Sequence, residues 1–510
     1  MSCLKPFLKK YNFALTTILF LLIVILLYLP SLNNLNLFWD DDRFIFSNPL
    51  FNKASSWIHF WNPSSQFFKT WALGYTQFWF LNKTLGINNL IVYKALNITL
   101  HLFNAYLIYY FSKKICIKYP IIAAIIFFIH PLHVETISWI FQLLTILSFT
   151  FFIFSCILIY HFSLSDKKKY ILLSFLFFLA SLSTKSIAIF APFIFIIIFI
   201  LNKVSRLKYF FLIPFFLLSL CFGILLQQGS IDLTAGKKIV NGNYSLNNIT
   251  PFENSIMLHP LNKFKSLRES QNNHIIDTFF DFGNYKTDDI VFFDQKTIVK
   301  TALIHYPMKL ILPTQLSFIY PYQDISWVKF FTYVTIFTLS IFGLYFYLLK
   351  NKNFILSISI IFFSLLPYMG ISFITFYYWS PVSDRYTYFS LFGFSMIVSQ
   401  LFELRIRFKS YILIFYITAL SIINASYGYK FNNPLLMYQH LVKVRKHPVF
   451  YSLLIEQYLL KLKYSSAKKI LDQALQEFPK DNLIQNDIIR VEALRLFYKN
   501  NNIKEVNTPL

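Results

Sequence analysis

Three short clusters of carboxylates, imidazoles and cations interrupt a sequence that is otherwise strongly apolar. They are Asp40-Asp41-Asp42, His130-Pro131-Leu132-His133-Val134-Glu135 and Asp384-Arg385-Tyr386. A carboxylate can take the proton of a hydroxyl nucleophile, and a guanidinium can bind a phosphate through paired hydrogen bonds. The aspartate run therefore indicates either a general base, with Asp40 and Asp41 as the candidates, or a solvated loop that caps a helix.

The histidine cluster indicates either a metal site or a hydrogen-bonded turn. Its His-x2-His-x-Glu spacing lacks the i, i+4 pair of a helical zinc site, and Pro131 interrupts it. We therefore expect no metal and no cofactor, and His133 and Glu135 become candidates for orienting a substrate. Asp384 joins them, with an internal ion pair to Arg385 as the alternative.

The composition indicates whether these clusters belong to a soluble protein or to a membrane protein. Of 510 residues, 56% are hydrophobic and only 14% are charged, which is too apolar for the surface of a soluble protein. A formal net charge of +24 would indicate nucleic-acid binding in a soluble protein, but the lysines and arginines lie between long apolar runs. The sequence therefore predicts an integral membrane protein with no nucleic-acid partner.

The apolar runs predict a polytopic all-α fold. A helix needs about 20 residues to cross a hydrocarbon layer of roughly 30 Å. About eleven runs approach this length, with re-entrant hairpins as the alternative for three short ones. The predicted crossings are 13–29, 90–111, 120–132, 137–162, 170–184, 187–201, 209–226, 328–349, 354–371, 386–402 and 411–427.

Charge bias predicts the orientation of these crossings. Short loops rich in lysine and arginine face the cytoplasm, and with eleven crossings all such loops fall on one side. The N-terminus is then cytoplasmic and the C-terminus extracytoplasmic. Lys185 and Arg385 instead fall in short outer turns, on the same side as the carboxylates. The bias of basic residues toward cytoplasmic loops does not account for these two cations, so they become candidates for binding a donor phosphate.

This inventory of outer residues suits transfer from a polyprenyl-phosphate-linked sugar. A carboxylate would deprotonate the acceptor hydroxyl, while a cation would steady the departing lipid phosphate. The acceptor is a protein, lipid or glycan hydroxyl, and the sequence does not choose among them. A lipid-linked saccharide transporter, a polymerase-like protein and a non-catalytic scaffold are the alternatives. Ionisable residues collect at the ends of the crossings, which favours surface chemistry over a transport path.

The chain divides into two predicted domains. Residues 1–430 form a membrane glycosyltransferase domain with outer loops 30–89 and 227–327, and residues 431–510 form an extracytoplasmic helical domain. Apolar residues at helical spacing that close on Phe478-Pro479 fit one tetratricopeptide-type repeat and a partial second. We favour a bacterial inner membrane, with the endoplasmic reticulum as the alternative because outward Asn-x-Ser/Thr triplets occur.

Taken in order, motifs along nearly the whole chain resemble the transmembrane and tetratricopeptide-repeat O-mannosyltransferase-like family, which has the C-type glycosyltransferase fold. The resemblance implies eleven crossings, an outer-loop aspartate as the base at the Trp-Asp-Asp position, and inverting transfer from a polyprenyl-phosphate sugar. The motifs are Phe38-Trp39-Asp40-Asp41, Asn48-Pro49, the His130 to Glu135 cluster with Ser138-Trp139, Ser183-Thr184-Lys185, Tyr320-Pro321-Tyr322 and Asp384-Arg385-Tyr386-Thr387-Tyr388.

The sequence departs from this family at two places. Phe141-Gln142-Leu143-Leu144 stands where family members often carry a charged stretch, and the repeat array is short. Donor and acceptor preference are therefore left open by the resemblance.

Overall fold

The computed structural model describes residues 27–28, 32, 41, 45, 49–53, 55–86, 89–165, 167–238, 295–320, 351–370, 380–404 and 406–500. Within these ranges the regular structure is entirely helical, as the apolar runs predict. Asp40 lies outside the described residues, as do the predicted crossing 328–349 and most of the outer loop 227–327.

The described helices from residue 90 to residue 238 follow the predicted apolar runs, whereas the two helices before them lie in the predicted outer loop 30–89. The helices up to residue 238 are α1 (Trp57–Phe60), α2 (Gln66–Leu85), α3 (Leu90–Lys114), α4 (Pro120–Ile129), α5 (Val134–Ser138), α6 (Leu143–Leu164), α7 (Lys168–Thr184), α8 (Ala191–Leu201) and α9 (Ile213–Lys238). Short 3-10 turns connect several of them, among them Pro131–His133, Ile140–Gln142 and Ser186–Phe190. Proline fits the first turn of a helix but not its interior, which agrees with Pro120 beginning α4 and Pro131 following it.

The second half of the chain continues with helices of mixed length. They are α10 (Gln295–Ile311), α11 (Lys352–Leu365), α12 (Ser390–Leu401), α13 (Lys409–Phe431), α14 (Pro434–Val444), α15 (Pro448–Leu460), α16 (Tyr464–Glu477) and α17 (Asn482–Asn500). The 3-10 turn Asp384–Thr387 precedes α12 and carries part of the third cluster. The C-terminal residues from 434 to 500 form four consecutive helices.

Four described helical stretches are long and apolar enough to cross a membrane. Two shorter stretches, Pro120–Ile129 and Pro131–Ser138, qualify only together, and they are bent by 50° relative to each other. The described residues thus contain four or five candidate crossings, and the count of eleven stays a prediction. The four are Leu90–Lys114, Ile140–Leu164, Arg206–Gln228 and Lys409–Phe431.

Helices α6 and α7 pack through pairs of small polar residues. The Ser148 hydroxyl lies 3.1 Å from that of Ser181, and the Ser155 hydroxyl lies 2.8 Å from that of Ser174. Small residues let two helix backbones approach, and paired hydroxyls satisfy each other away from water. This packing fixes Lys185, which follows α7, against the beginning of α6.

The two ends of the helix bundle carry different groups. At one end, the Lys118 backbone N–H donates to Glu403 Oε1 at 3.1 Å, and Asn353 Nδ2 donates to the Ile115 carbonyl at 2.9 Å. The basic loops between the helices lie at this end. The turns after α4, after α7 and before α12 lie at the opposite end, so the predicted outer turns share one end of the bundle.

Helices α14 to α17 contain a second apolar core. Ile455 and Leu471 are buried within it, whereas Phe450 at the beginning of α15 belongs to the core of the apolar bundle. The Phe450 ring lies 6.4 Å from the Phe318 ring, centre to centre. The C-terminal helices are thus attached to the bundle through residues of α15 and of the segment after α10.

Candidate functional site

The candidate site is built around the short turn 139–142 between α5 and α6. Trp139 has an extended backbone after α5, and residues 140–142 form a single 3-10 turn before α6 begins. Asn97 of α3 supports this turn, because its Nδ2 donates to the carbonyls of Ile137 and Trp139 at 3.2 and 3.1 Å. The turn presents the Trp139 indole, the Phe141 backbone N–H and the Gln142 amide to three other segments of the chain.

Asp41 binds the middle of this turn. The Phe141 backbone N–H donates to Asp41 Oδ1 at 2.7 Å, and the carboxylate is almost fully buried. The buried Lys94 of α3 interacts electrostatically with Asp41. Asp41 therefore does not lie in a solvated loop, which was the alternative for the aspartate run. Sequence analysis missed Lys94, although a lysine inside an apolar helix is a signal of a buried partner.

Lys185 reaches the last residue of the turn. Its Nζ donates to Gln142 Oε1 at 3.1 Å and to Thr145 Oγ1 at 2.8 Å. The same ammonium lies 5.4 Å from the centre of the Trp71 ring. Trp71 has φ −145° and ψ 60° inside α2, which is a break in the helix that periodicity cannot predict. Gln142 belongs to the stretch 141–144, where the sequence departs from the family it resembles. Its side-chain oxygen accepts a hydrogen bond from Lys185.

Glu135 and Arg385 form a buried ion pair next to the turn. Arg385 Nη1 donates to Glu135 Oε1. The guanidinium carbon lies 5.2 Å from the centre of the Trp139 ring and 5.0 Å from that of Tyr386. The predicted alternative, a pair between Arg385 and Asp384, was wrong, because adjacent residues of a helical turn point in different directions.

Asp384 forms a separate buried cluster. Asp384 Oδ1 lies 3.2 Å from His305 Nε2, and the Tyr320 hydroxyl donates to Asp384 Oδ2 at 2.8 Å. Burial lowers the pKa of His305, and hydrogen bonding to Asp384 opposes this shift. Burial also raises the pKa of Tyr320 well above its usual value, and the charge of Asp384 adds to that shift. His305 was not predicted, because a single histidine carries no spacing signal.

His133 lies beside the site in an aromatic cluster. Its ring centre is 4.7 Å from that of His101 and 4.6 Å from that of Tyr388. The neighbouring His130 Nε2 lies 3.0 Å from the Leu310 carbonyl, so the turn is hydrogen-bonded at that residue. Within the described ranges, no three His, Cys, Asp or Glu side chains are grouped so that they could hold a metal ion.

The turn 139–142 thus connects residues from four separate segments of the chain: Asp41, Glu135, Lys185 and Arg385. Carboxylates and cations held together at one end of an apolar bundle can accept a proton and bind an anion. Comparisons with protein-family models, with curated proteins and with solved structures find no match to this chain. The function is therefore inferred from the chemistry of this site.

Proposed function

We propose that the protein is a membrane glycosyltransferase that moves a sugar from a polyprenyl-phosphate donor to a hydroxyl acceptor on the extracytoplasmic side. The turn 139–142 carries this proposal, because it joins Asp41 and Lys185 directly and Arg385 through the Trp139 ring. A carboxylate beside two cations supplies the two kinds of group that transfer from a phosphate-linked sugar needs.

In the proposed reaction, the acceptor hydroxyl gives its proton to a carboxylate of the aspartate run, Asp40 or Asp41. The acceptor oxygen forms a bond to the anomeric carbon while the bond from that carbon to the phosphate oxygen breaks. This displacement inverts the configuration. The polyprenyl phosphate leaves with the bonding electron pair, and Lys185 and Arg385 stabilise its negative charge.

The other predicted residues are proposed to position these groups. Glu135 fixes the Arg385 guanidinium through their ion pair. Asp384 is held by His305 and Tyr320 and orients the substrate. His133 orients it from the aromatic cluster beside the turn. The acceptor is proposed to be a protein, lipid or glycan hydroxyl.

The proposed setting is an eleven-crossing domain of the C-type glycosyltransferase fold, followed by a tetratricopeptide-like helical domain. Its support is the helical structure of the described residues, which include four or five candidate crossings, and a site at the end of the bundle opposite the basic loops. We propose that this end faces outward from a bacterial inner membrane, with the lumen of the endoplasmic reticulum as the alternative. The N-terminus is then cytoplasmic.

The carboxylate base can be tested by Asp40→Asn and Asp41→Asn, made separately and assayed in membranes supplied with a polyprenyl-phosphate sugar. At least one variant should lose transfer while its expression and thermal stability are retained. Asp41→Asn keeps a side-chain oxygen that can accept from the Phe141 N–H but removes the charge that faces Lys94, so its thermal stability is measured beside its transfer activity. Asp472→Asn, in an exposed ion pair with Lys468, is the matched control.

Full transfer in both aspartate variants would exclude this base. The donor class is tested separately by mass spectrometry of lipid extracts from a deletion strain. A polyprenyl-phosphate sugar should accumulate in that strain, because its consumer is missing. An unchanged lipid profile would contradict the proposed donor.

A further inference from the structure

A second group of cations lies beside the candidate site, where the linker from α14 to α15 meets the segment after α10. The Arg445 guanidinium carbon lies 5.3 Å from the centre of the Tyr320 ring. Lys309 Nζ lies 5.7 Å from the same centre. The Tyr320 hydroxyl donates to Asp384 Oδ2, so the ring that both cations contact also reaches the site.

Arg445 has donors that no described residue uses. Its Nε is buried and has no hydrogen-bond partner within the described ranges. The carboxylate oxygens of Asp384, which lies nearby, are instead bound to His305 and Tyr320. Arg385 differs from Arg445, because Arg385 is already neutralised by Glu135.

Lys309 donates to backbone oxygens rather than to a carboxylate. Its Nζ contacts the carbonyls of Thr314 and Gln315. Burial lowers the pKa of Lys309, the charge of Asp384 opposes this shift, and the charge of Arg445 lowers the pKa further. Asp384 can offset only one of the two positive charges, and the buried Arg445 Nε is costly unless a further acceptor joins it.

We propose that Lys309 and Arg445 bind a phosphate group beside the Tyr320 ring. A guanidinium presents a fork of donors that matches phosphate oxygens, and an ammonium adds a point charge. Within the proposed function, on which this assignment of the ligand rests, the phosphate belongs to a polyprenyl lipid at a second site, apart from the donor phosphate that Lys185 and Arg385 are proposed to bind. Free phosphate has the same chemistry and is the other source. Because Arg445 follows α14, the bound phosphate links the C-terminal helices to the bundle.

The test measures binding to the full-length protein in lipid nanodiscs by calorimetry, with polyprenyl phosphate in one arm and inorganic phosphate in the other. All proteins in the test carry Lys185→Gln, so that binding at the proposed donor site is weakened equally in each. Arg445→Gln and Lys309→Gln should each weaken binding by about tenfold or more, because each removes a charged donor. Lys443→Gln removes the same charge from an exposed residue of α14 and should leave binding unchanged.

Binding that requires the lipid identifies polyprenyl phosphate as the ligand, and equal binding of inorganic phosphate identifies free phosphate. Either result supports the phosphate site if Arg445→Gln and Lys309→Gln weaken binding and Lys443→Gln does not. Undiminished binding in Arg445→Gln, equal weakening in Lys443→Gln, or no binding of either probe overturns it. Lys309 also holds backbone carbonyls, so Arg445→Gln decides the outcome if Lys309→Gln loses stability.

This measurement separates the phosphate site from the proposed function. No sugar and no acceptor are present, so a protein without transferase activity can still bind the phosphate. If the protein is an active transferase but Arg445→Gln binds phosphate normally, the proposed function stands and only the phosphate site at Lys309 and Arg445 is excluded.

Discussion

The Glu135–Arg385 pair joins two side chains that have lost nearly all contact with water. Glu135→Gln is expected to lower the free energy of unfolding by about 3–5 kcal/mol, because the Arg385 guanidinium stays buried without its counter-charge. The double variant Glu135→Gln/Arg385→Met should cost clearly less than the sum of its single changes. Thermal unfolding in detergent micelles measures the cycle, and additive effects would show that the two charges are independent.

The same pair limits what can be learned from Arg385 by activity alone. Arg385→Ala removes a proposed phosphate ligand, but it also leaves Glu135 buried and unpaired. The Lys185 ammonium donates to Gln142 and Thr145. The change Lys185→Gln removes the charge but keeps a side-chain N–H donor.

Lys185→Gln is expected to weaken use of the polyprenyl-phosphate donor at least tenfold, because it removes the charge proposed to bind the phosphate while keeping an N–H donor beside Gln142 and Thr145. The measurement is initial transfer rate against donor concentration, beside a melting curve. Lys83→Gln, on the exposed end of α2, is the matched control. Donor use that is unchanged in Lys185→Gln removes this residue from the phosphate site.

The sequence predicted which residue types could act, but not their partners. Glu135 and Arg385 are 250 positions apart, and Lys185 and Gln142 are 43 apart. Such pairs are decided by how helices pack, and no local pattern encodes that. Arg385 was the alternative partner for Asp384 because only nearby residues are visible in a sequence, whereas the folded chain pairs Asp384 with His305.

Helices α2 and α7 come close together at Gly74, where the lack of a side chain leaves room. A Cβ at Gly74 would lie 2.6 Å from the Thr184 carbonyl and 2.7 Å from a methyl group of Leu144. Thr184 immediately precedes Lys185, and Trp71 lies one turn before Gly74. The spacing of these two helices therefore sets the distance between the ammonium and the indole.

Gly74→Ala is expected to destabilise the fold by about 1–3 kcal/mol and to lower transfer activity, because α2 must move away from α7. Gly223→Ala is the control, since its added Cβ would meet only the end of the Ile189 side chain at 3.1 Å. Thermal unfolding and initial rates are measured for both. Equal effects of the two changes would contradict a special role for the α2–α7 contact.

The C-terminal helices contain two buried carboxylates near one guanidinium. Arg490 Nη1 donates to Asp487 Oδ1 at 2.9 Å. Burial raises the pKa of Glu456 to about 7, the charge of Arg490 opposes this shift, and Asp487 adds to it. Tyr438 of α14 also faces Glu456. Glu456 therefore holds its proton in the folded state at a pH where the unfolded chain has released it.

A raised carboxyl pKa in the folded state predicts stability that is present at acid pH and lost as pH rises through about 7. Glu456→Gln should reduce this dependence and make the C-terminal helices more stable than wild type at pH 8, while the raised pKa of Asp487 leaves a part of it. Unfolding of the full-length protein followed between pH 5 and 8 measures both. A variant with the wild-type slope would show that Glu456 does not titrate in this range.

Helix positions were predicted better than helix ends. The predicted crossings 354–371 and 386–402 correspond to α11 and α12, which are 14 and 12 residues long. Pro367 cannot donate a backbone hydrogen bond, and the chain forms a 3-10 turn there. The turn Asp384–Thr387 likewise replaces the beginning of the second helix. Hydropathy measures apolar length and cannot register such turns.

At the scale of the whole molecule, the sequence predicted an apolar helical bundle with chemistry at one end. Packing agrees with this polarity, since the loop after α3 contacts Asn353 and Glu403 while the carboxylates of the candidate site lie at the opposite end. The number of membrane crossings cannot be read from hydropathy as directly as this polarity. A bent pair such as α4 and α5 has the composition of one crossing or of a re-entrant hairpin.

The proposed orientation predicts which side of the membrane each end of the bundle faces. Cys116 is exposed at the basic end, and Ser64 is exposed next to α1 in the predicted outer loop. In a Cys3→Ser/Cys221→Ser background, a membrane-impermeant maleimide should label Cys116 only after permeabilisation. Ser64→Cys, combined with Cys116→Ser, should be labelled in intact cells with an opened outer envelope, because thiols react only where the reagent reaches them. Labelling of both positions from the same side would contradict the orientation, and with it the outward position of the candidate site.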